Sequence, residues 1–250
     1  MSHEDLRSQH TAQAISRRLA RGPSTSVLRD LVYGAIDGTV TTFAVVAGVI
    51  GAGLRPIVIL ILGIANLAAD GFSMAASNFL ATRAERQRRA RTLRDEELQI
   101  DVVPEGEREE IRQIYQAKGF SGADLERAVD IITSDRKRWL QTMLLEEHGY
   151  GSAGPEPLRA GMATFVAFVV VGSVPLLSFV YAWLTPTFLP QAFEWSSFLT
   201  GVAFFAVGAL KSRFVDQPWW RSGAETLAVG GIAAGAAYCL GWLLGGIGGL

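Results

Sequence analysis

A chain of 250 residues with a single cysteine, Cys239, can form no disulfide within itself. That cysteine lies in an apolar run, where a thiol serves as a small packing residue rather than a redox centre. The Glu-x-x-His pattern of carboxylate-bridged di-iron bundles is missing, since the residue three before His148 is Leu145. There is also no Walker loop, no His-Glu-x-x-His and no cysteine pair with metal spacing, which argues against an ATP-driven pump. The chain therefore reads as a non-enzyme. A net charge of -1 offers nothing to draw nucleic acid. The first thirty residues are polar and charged without an apolar core, so the first apolar helix is expected to act as an uncleaved insertion signal.

Charge is also missing along most of the chain. Charged residues make up 19%, and they crowd into the N-terminal segment and the stretch from Arg83 to Arg159. Between these lie long apolar runs, and the mean hydropathy of +0.25 is too high for an ordinary soluble domain. Five windows stand out, at about Leu31–Leu54, Arg55–Leu80, Leu158–Leu184, Phe193–Leu210 and Gly223–Leu250. Each is close to or above the roughly 20 residues needed to cross a hydrocarbon core. Lipid leaves no partner for an open backbone amide, so these windows are read as helices. Arg55-Pro56 breaks the first from the second, and Thr185–Pro190, with two prolines, parts the third from the fourth.

Basic residues orient the spans. Arg17, Arg18, Arg21 and Arg29 precede the first, six arginines from Arg83 to Arg94 follow the second, and Lys211, Arg213 and Arg221 separate the fourth from the fifth. The opposite loops carry only Arg55. All basic flanks thus fall on one side, which places the N-terminus and the central segment in the cytoplasm and the C-terminus outside. Apolar residues recur at helical spacing in the central segment: Ile111, Ile114 and Tyr115; Leu125, Val129 and Ile132; Trp139, Leu140, Met143 and Leu144. Three helices are expected there, the first continuing out of the second span, with Pro104 as punctuation and Ser121 or Ser134 as N-caps. The expected fold is all-α: a polytopic membrane protein with five transmembrane helices and a cytoplasmic three-helix insertion between the second and third. Its parts are an N-terminal segment (1–30), spans one and two (31–82), a cytoplasmic metal-binding domain (83–157) and spans three to five (158–250).

Two acids sit where acids are expensive, Asp37 in the first span and Asp70 in the second. Asn66, Asp70 or Ser73, and Ser77 share one face of the second span, with Met74 nearby. Gly34 and Gly38 form a small-xxx-small pair that permits close helix approach. Carboxylate and amide oxygens beside a thioether suit Mn(II) or Fe(II), and the sulfur biases against Ca and Mg. Taken alone, Met74 reads more readily as core packing. A second group is the acidic block Asp95–Glu110, followed later by Met143, Glu147 and His148. If these helices pack together, Glu96, Glu107, Glu110 and Glu147 could converge on a hydrated cation, although an acidic run also reads as a solvated face. Acids within the membrane favour transport over the other open reading, a non-transporting metal sensor or scaffold.

The segments Asp37-Gly-Thr-Val-Thr-Thr-Phe-Ala-Val-Val-Ala-Gly48 and Asp70-Gly-Phe-Ser-Met-Ala-Ala-Ser-Asn-Phe-Leu-Ala81 strongly resemble the vacuolar iron transporter family, which includes the yeast calcium-cross-complementing relatives. The similarity runs from about Leu28 to the C-terminus, the later spans matching mostly in layout. The resemblance implies a homodimer that exports Fe(II), and often Mn(II), in exchange for protons, from the cytosol to a vacuole or the cell exterior. Its transport residues would fall on Asp37 and Met74 at the dimer interface, and its cytoplasmic metal ligands on Glu96, Glu107, Glu110, Met143 and Glu147. The sequence departs from that pattern where Asn66 replaces a glutamate, with Asp70 one turn on, where Gln99 replaces another, and where Leu144 replaces a methionine beside Met143. No permanently bound cofactor is expected. Fe(II) or Mn(II), with Zn(II) as a further candidate, enter as bound and transported ions. The expected home is the inner cell membrane of a prokaryote or the vacuolar membrane of a eukaryote, with lipid, protons and divalent metal as partners.

Overall fold

The computed structural model describes residues 7–8, 10–21, 26–151 and 154–248, with side chains to residue 246. The rest of the expected N-terminal segment and the last two residues of the expected fifth span lie outside the described residues. All described elements are helical: α1 (Ala12–Arg21), α2 (Leu28–Gly51), α3 (Ile57–Val102), α4 (Pro104–Ala117), α5 (Gly122–Thr133), α6 (Arg136–Glu146), α7 (Pro157–Gly172), α8 (Leu177–Leu184), α9 (Ala192–Lys211) and α10 (Trp219–Gly248). Short 3-10 turns at Val174–Leu176 and Pro186–Gln191 lead into α8 and α9. Five stretches are long and apolar enough to cross a membrane, at Leu28–Gly51, Ile57–Val102, Pro157–Leu184, Pro186–Lys211 and Trp219–Gly246. The protein is an integral, multi-pass membrane protein, and each expected window contributes one span.

The chain divides into two compact units, one of Ser26–Thr82 with Pro155–Leu250 and one of Arg83–Gly154 with the N-terminal residues. In the first unit α2 is the centre, and glycine lets it be so. A Cβ on Gly34 would stand only 2.4 Å from the Thr164 carbonyl oxygen of α7, and one on Gly38 only 2.5 Å from that of Phe168. Both partners are also four apart, so the two backbones meet turn for turn, as small residues in membrane helices allow. Further along, Gly48 and Gly241 bring α2 against α10 in the same way. The turn after α2 needs Gly53 at φ +69°, a left-handed conformation that suits a residue without Cβ.

The third span is not one continuous helix. Pro175 cannot donate an amide hydrogen, and the chain tightens into a 3-10 turn there before resuming as α8. The buried Ser196 hydroxyl of α9 donates to the Pro175 carbonyl at 2.7 Å, satisfying a group at the break. Outward-facing side chains are large and apolar, including Ile61, Phe72, Val170, Phe198, Ile232 and Trp242. Such a surface would promote aggregation in water and is the expected one in lipid.

The second unit is built on the far end of α3, which continues beyond its apolar stretch to Val102. Proline ends it: Val103, preceding Pro104, leaves the helical region at φ -135° and ψ 53°, and Pro104 opens α4. The helical continuation is thus followed by three separate helices, not two as the sequence reading counted. Ser121 occupies the N-cap position of α5 without a side-chain cap bond. Ser134, the other expected N-cap, instead ends α5. The cap of α6 is Asp135, whose carboxylate accepts from the Arg138 amide at 2.7 Å. Ile100, Ile111, Leu125, Val129, Ile132, Trp139, Leu140 and Met143 form the unit's apolar core.

Gly38→Val is expected to lower the thermal midpoint of the detergent-solubilised protein and its monodisperse recovery, since overpacking of this kind costs roughly 1–3 kcal/mol of stability. Gly231→Ala, where an added Cβ meets nothing within 4 Å, should leave both unchanged. Equal behaviour of the two variants would refute the close-approach account.

Candidate metal pathway and acidic cluster

Within the membrane unit a cavity of about 640 Å³ is lined by Asp37, Met74, Asp30, Tyr33, Ser77 and Asn78, among others. Asp30, Tyr33 and Asp37 are spaced three and four residues apart on α2 and so share a face. Met74, Ser77 and Asn78 do the same on α3. Asn78 joins the walls, its Nδ2 donating to Asp30 Oδ1 at 3.0 Å and to Thr164 Oγ1 at 2.8 Å. Among the described residues neither Asp30 nor Asp37 forms a salt bridge, although Arg29 also lines the space, which offers carboxylate, amide, hydroxyl and thioether donors. That donor set can hold a partly dehydrated divalent transition ion.

The other two expected pathway residues are not among those lining this cavity, although the Asp70 carboxylate is near enough to act electrostatically on Asp37. Asn66 is engaged locally, its Nδ2 donating to Thr41 Oγ1 at 3.1 Å and more weakly to Thr42 Oγ1 at 3.4 Å. Asp70 is exposed on the outer surface of α3. Asp30 was the residue that sequence reasoning missed. Its signal was present as a seven-residue spacing to Asp37, two helical turns along one face.

In the second unit the acidic block separates into two populations. Three of its eight acids pair with arginine at the surface: Asp95 with Arg91, Glu109 with Arg112, and Asp101 with Arg136, which donates at 2.9 Å and holds that carboxyl below its usual range. Glu109 and Glu126 share Arg112. Glu96 and Glu107 differ, for they are only 1% and 2% exposed, and one oxygen of each is sealed from solvent without a hydrogen-bond partner. Helical spacing explains why: Glu96 and Ile100 share a face of α3, as Glu107 and Ile111 share one of α4, and the two isoleucines anchor the apolar core.

Glu110, Glu147 and His148 complete the cluster. Burial pushes the Glu107 carboxyl up to about 7, helped by the charges of Glu110, Glu96 and Glu147. Burial also raises Glu147; His148 opposes that rise, and Glu110 and Glu96 add to it. His148 Nε2 lies 2.7 Å from Glu96 Oε1, a hydrogen bond that raises the imidazole's pKa, and 3.6 Å from Glu147 Oε2. One donor atom each from Glu96, Glu147 and His148 lie within 4.8 Å of one another. Met143 is fully buried in the adjoining core, and Gln99 donates its amide weakly to Glu96 Oε1 at 3.5 Å. The four glutamates named from the sequence therefore do come together. His148 was absent from that set, and its only signal was its place directly after Glu147.

A five-span helical membrane protein with carboxylates both in a membrane cavity and in a buried extramembrane cluster has the parts of a cation transporter. The sequence model of the VIT family matches residues 28–242, and the chain belongs to that family, one of transporters and not of enzymes. It is 35% identical over 228 residues to a vacuolar iron transporter of Toxoplasma gondii, covering 88% of this chain and 75% of that one. Similarity to vacuolar iron transporter 1 of Arabidopsis thaliana is 32% over 220 residues, covering 86% and 84% of the two chains. A Plasmodium falciparum vacuolar iron transporter is 31% identical over 228 residues, with 87% and 82% covered.

A carboxyl raised to about 7 from an ordinary 4.5 binds a proton in the folded state that the unfolded state has already lost between those values. Stability of the metal-free protein should therefore fall as pH rises from about 4.5 to about 7, and stay low above. The thermal midpoint is expected to be higher near pH 5.5 than near pH 8, with Mn(II) restoring it at the higher pH and Glu107→Gln flattening the dependence. A wild-type midpoint indifferent to pH in this window would refute the assignment.

Proposed function

We propose that this protein exports divalent iron, and manganese with it, from the cytosol in exchange for protons. The observation that carries the reading is the cavity shared by Asp37 and Met74. Iron is supported by the names of the relatives, all vacuolar iron transporters. Manganese is supported by the donors, since carboxylate oxygen serves both ions and a thioether disfavours Ca and Mg. Proton exchange follows from the chemistry of Asp37: protonation removes the charge that holds the cation and releases it on the far side. The basic flanks support export, because an orientation with those flanks in the cytoplasm makes the acidic cluster a gathering site there.

The exposed Asp70 supports a homodimer. It sits 13 residues into α3, roughly 20 Å along the helix at 1.5 Å per residue, well inside a hydrocarbon core about 30 Å thick. A carboxylate there costs a few kcal/mol if it faces lipid. A second copy covering α3 would turn that face into a polar path between subunits and bring the paired cavities together.

Proteoliposomes containing the wild type are expected to show Fe(II) and Mn(II) flux driven by an imposed pH gradient, with Asp37→Asn reducing it at least about tenfold. Full flux in that variant would sink the pathway assignment. Metal binding without flux in either protein would make the chain a membrane sensor instead. Glu107→Ala combined with Glu110→Ala should weaken metal binding by the full chain in calorimetry; an unchanged titration would reduce the cluster to a solvated face.

A further inference from the structure

His148 stands against the buried Glu96 carboxylate and beside the exposed Glu147, yet neither the acidic composition nor the family resemblance assigns it a task. We propose that His148 is a nitrogen ligand of the extramembrane metal site and sets its preference toward Fe(II), Co(II) and Zn(II) over Mn(II). The inference rests on the reading of Glu96, Glu107, Glu110 and Glu147 as a metal site.

The geometry supports the role in three ways. Nε2 lies 2.7 Å from Glu96 Oε1 and 3.6 Å from Glu147 Oε2, so a small shift places an ion among all three donors. The unpartnered oxygens of Glu96 and Glu107, both sealed from solvent, independently call for a cation at this point. The imidazole is also held rather than free. Its backbone amide donates to the Met143 carbonyl at 3.4 Å, and the Tyr150 ring stands 6.4 Å away. With its proton on Nδ1, the ring presents the Nε2 lone pair to the site.

A site of oxygen donors alone separates Mn(II) from Fe(II) poorly. An imidazole adds a borderline ligand, and stability then rises more steeply from Mn(II) through Fe(II) to Co(II). Gln99 sharpens the point, because a neutral amide rests beside Glu96 and contributes no charge. His148 supplies a ligand in this neighbourhood without adding negative charge, so discrimination comes from ligand type and not from field strength.

The test uses the full chain, tag-free, in detergent and stripped by chelator. His3→Ala and His10→Ala are introduced so that His148 is the sole histidine of the three. Mn(II) and Co(II) are titrated separately, with the visible absorption of Co(II) reporting its coordination. His148→Gln is expected to weaken Co(II) about tenfold or more while changing Mn(II) no more than about threefold. His148→Asp should keep Mn(II) binding and still lose the Co(II) preference. A His148→Gln variant with unaltered Co(II) affinity and spectrum, or with equal losses for both ions, overturns the proposal while leaving the carboxylate site intact. Absence of saturable binding in the parent protein overturns the metal site itself, and this inference with it. Thermal midpoints of the metal-free variants serve to separate lost ligation from lost folding.

Discussion

The close approach of α2 to α7 is the constraint on which the membrane unit depends. Where Gly34 and Gly38 meet the carbonyls of Thr164 and Phe168, there is no room for a methyl group. That contact fixes the rotation of α2 about its own axis. Asp37, one residue before Gly38, is turned to a neighbouring face and lines the cavity, as do Asp30 and Tyr33. A helix free to rotate could expose the carboxylate to lipid or bury it in side chains. A helix locked by backbone contact on one face holds it at a set depth. Thr164 serves both sides of this arrangement, packing its backbone against Gly34 while its hydroxyl accepts from Asn78.

The acidic unit solves a different problem with the same chemistry. An apolar core needs apolar neighbours, yet Glu96 and Glu107 project from the helix faces that supply Ile100 and Ile111. Burying unpaired carboxylates beside one another destabilises the unit unless a proton or a cation intervenes. The rise of Glu107 to about 7 expresses that tension in the metal-free protein. The site is therefore poised: a proton relieves it at low pH, and a divalent ion relieves it above. Surface acids such as Asp101 and Glu126 carry no such tension, because an arginine stands beside each.

Much of this was legible in the residues. Hydropathy points to five windows because lipid permits few alternatives, and the four-residue spacing of Gly34 and Gly38 marks the face of α2 that meets α7. The convergence of Glu96, Glu107, Glu110 and Glu147 followed once their helices were read as a packed unit. What escaped was set by tertiary placement. His148 lies beyond the end of α6, where no periodicity aims a side chain, and only the fold brings it to Glu96. Asn66 looked like a pathway residue by its face, but its amide is committed to the hydroxyls of Thr41 and Thr42. The count of helices falls one short for a local reason: the continuation of α3 and the helix that Pro104 opens are two elements, not one.

One helix carries both kinds of site. Met74 lies in the apolar part of α3 and Glu96 in its polar extension, with no break between Ile57 and Val102. The sequence changes character along that helix from leucine and isoleucine to a run of arginines and then acids, while the backbone hydrogen bonding continues. That change of character lets one helix serve two chemistries: leucine and isoleucine suit hydrocarbon, the arginines that follow them suit the headgroup boundary, and the acids beyond need water, a proton or a cation.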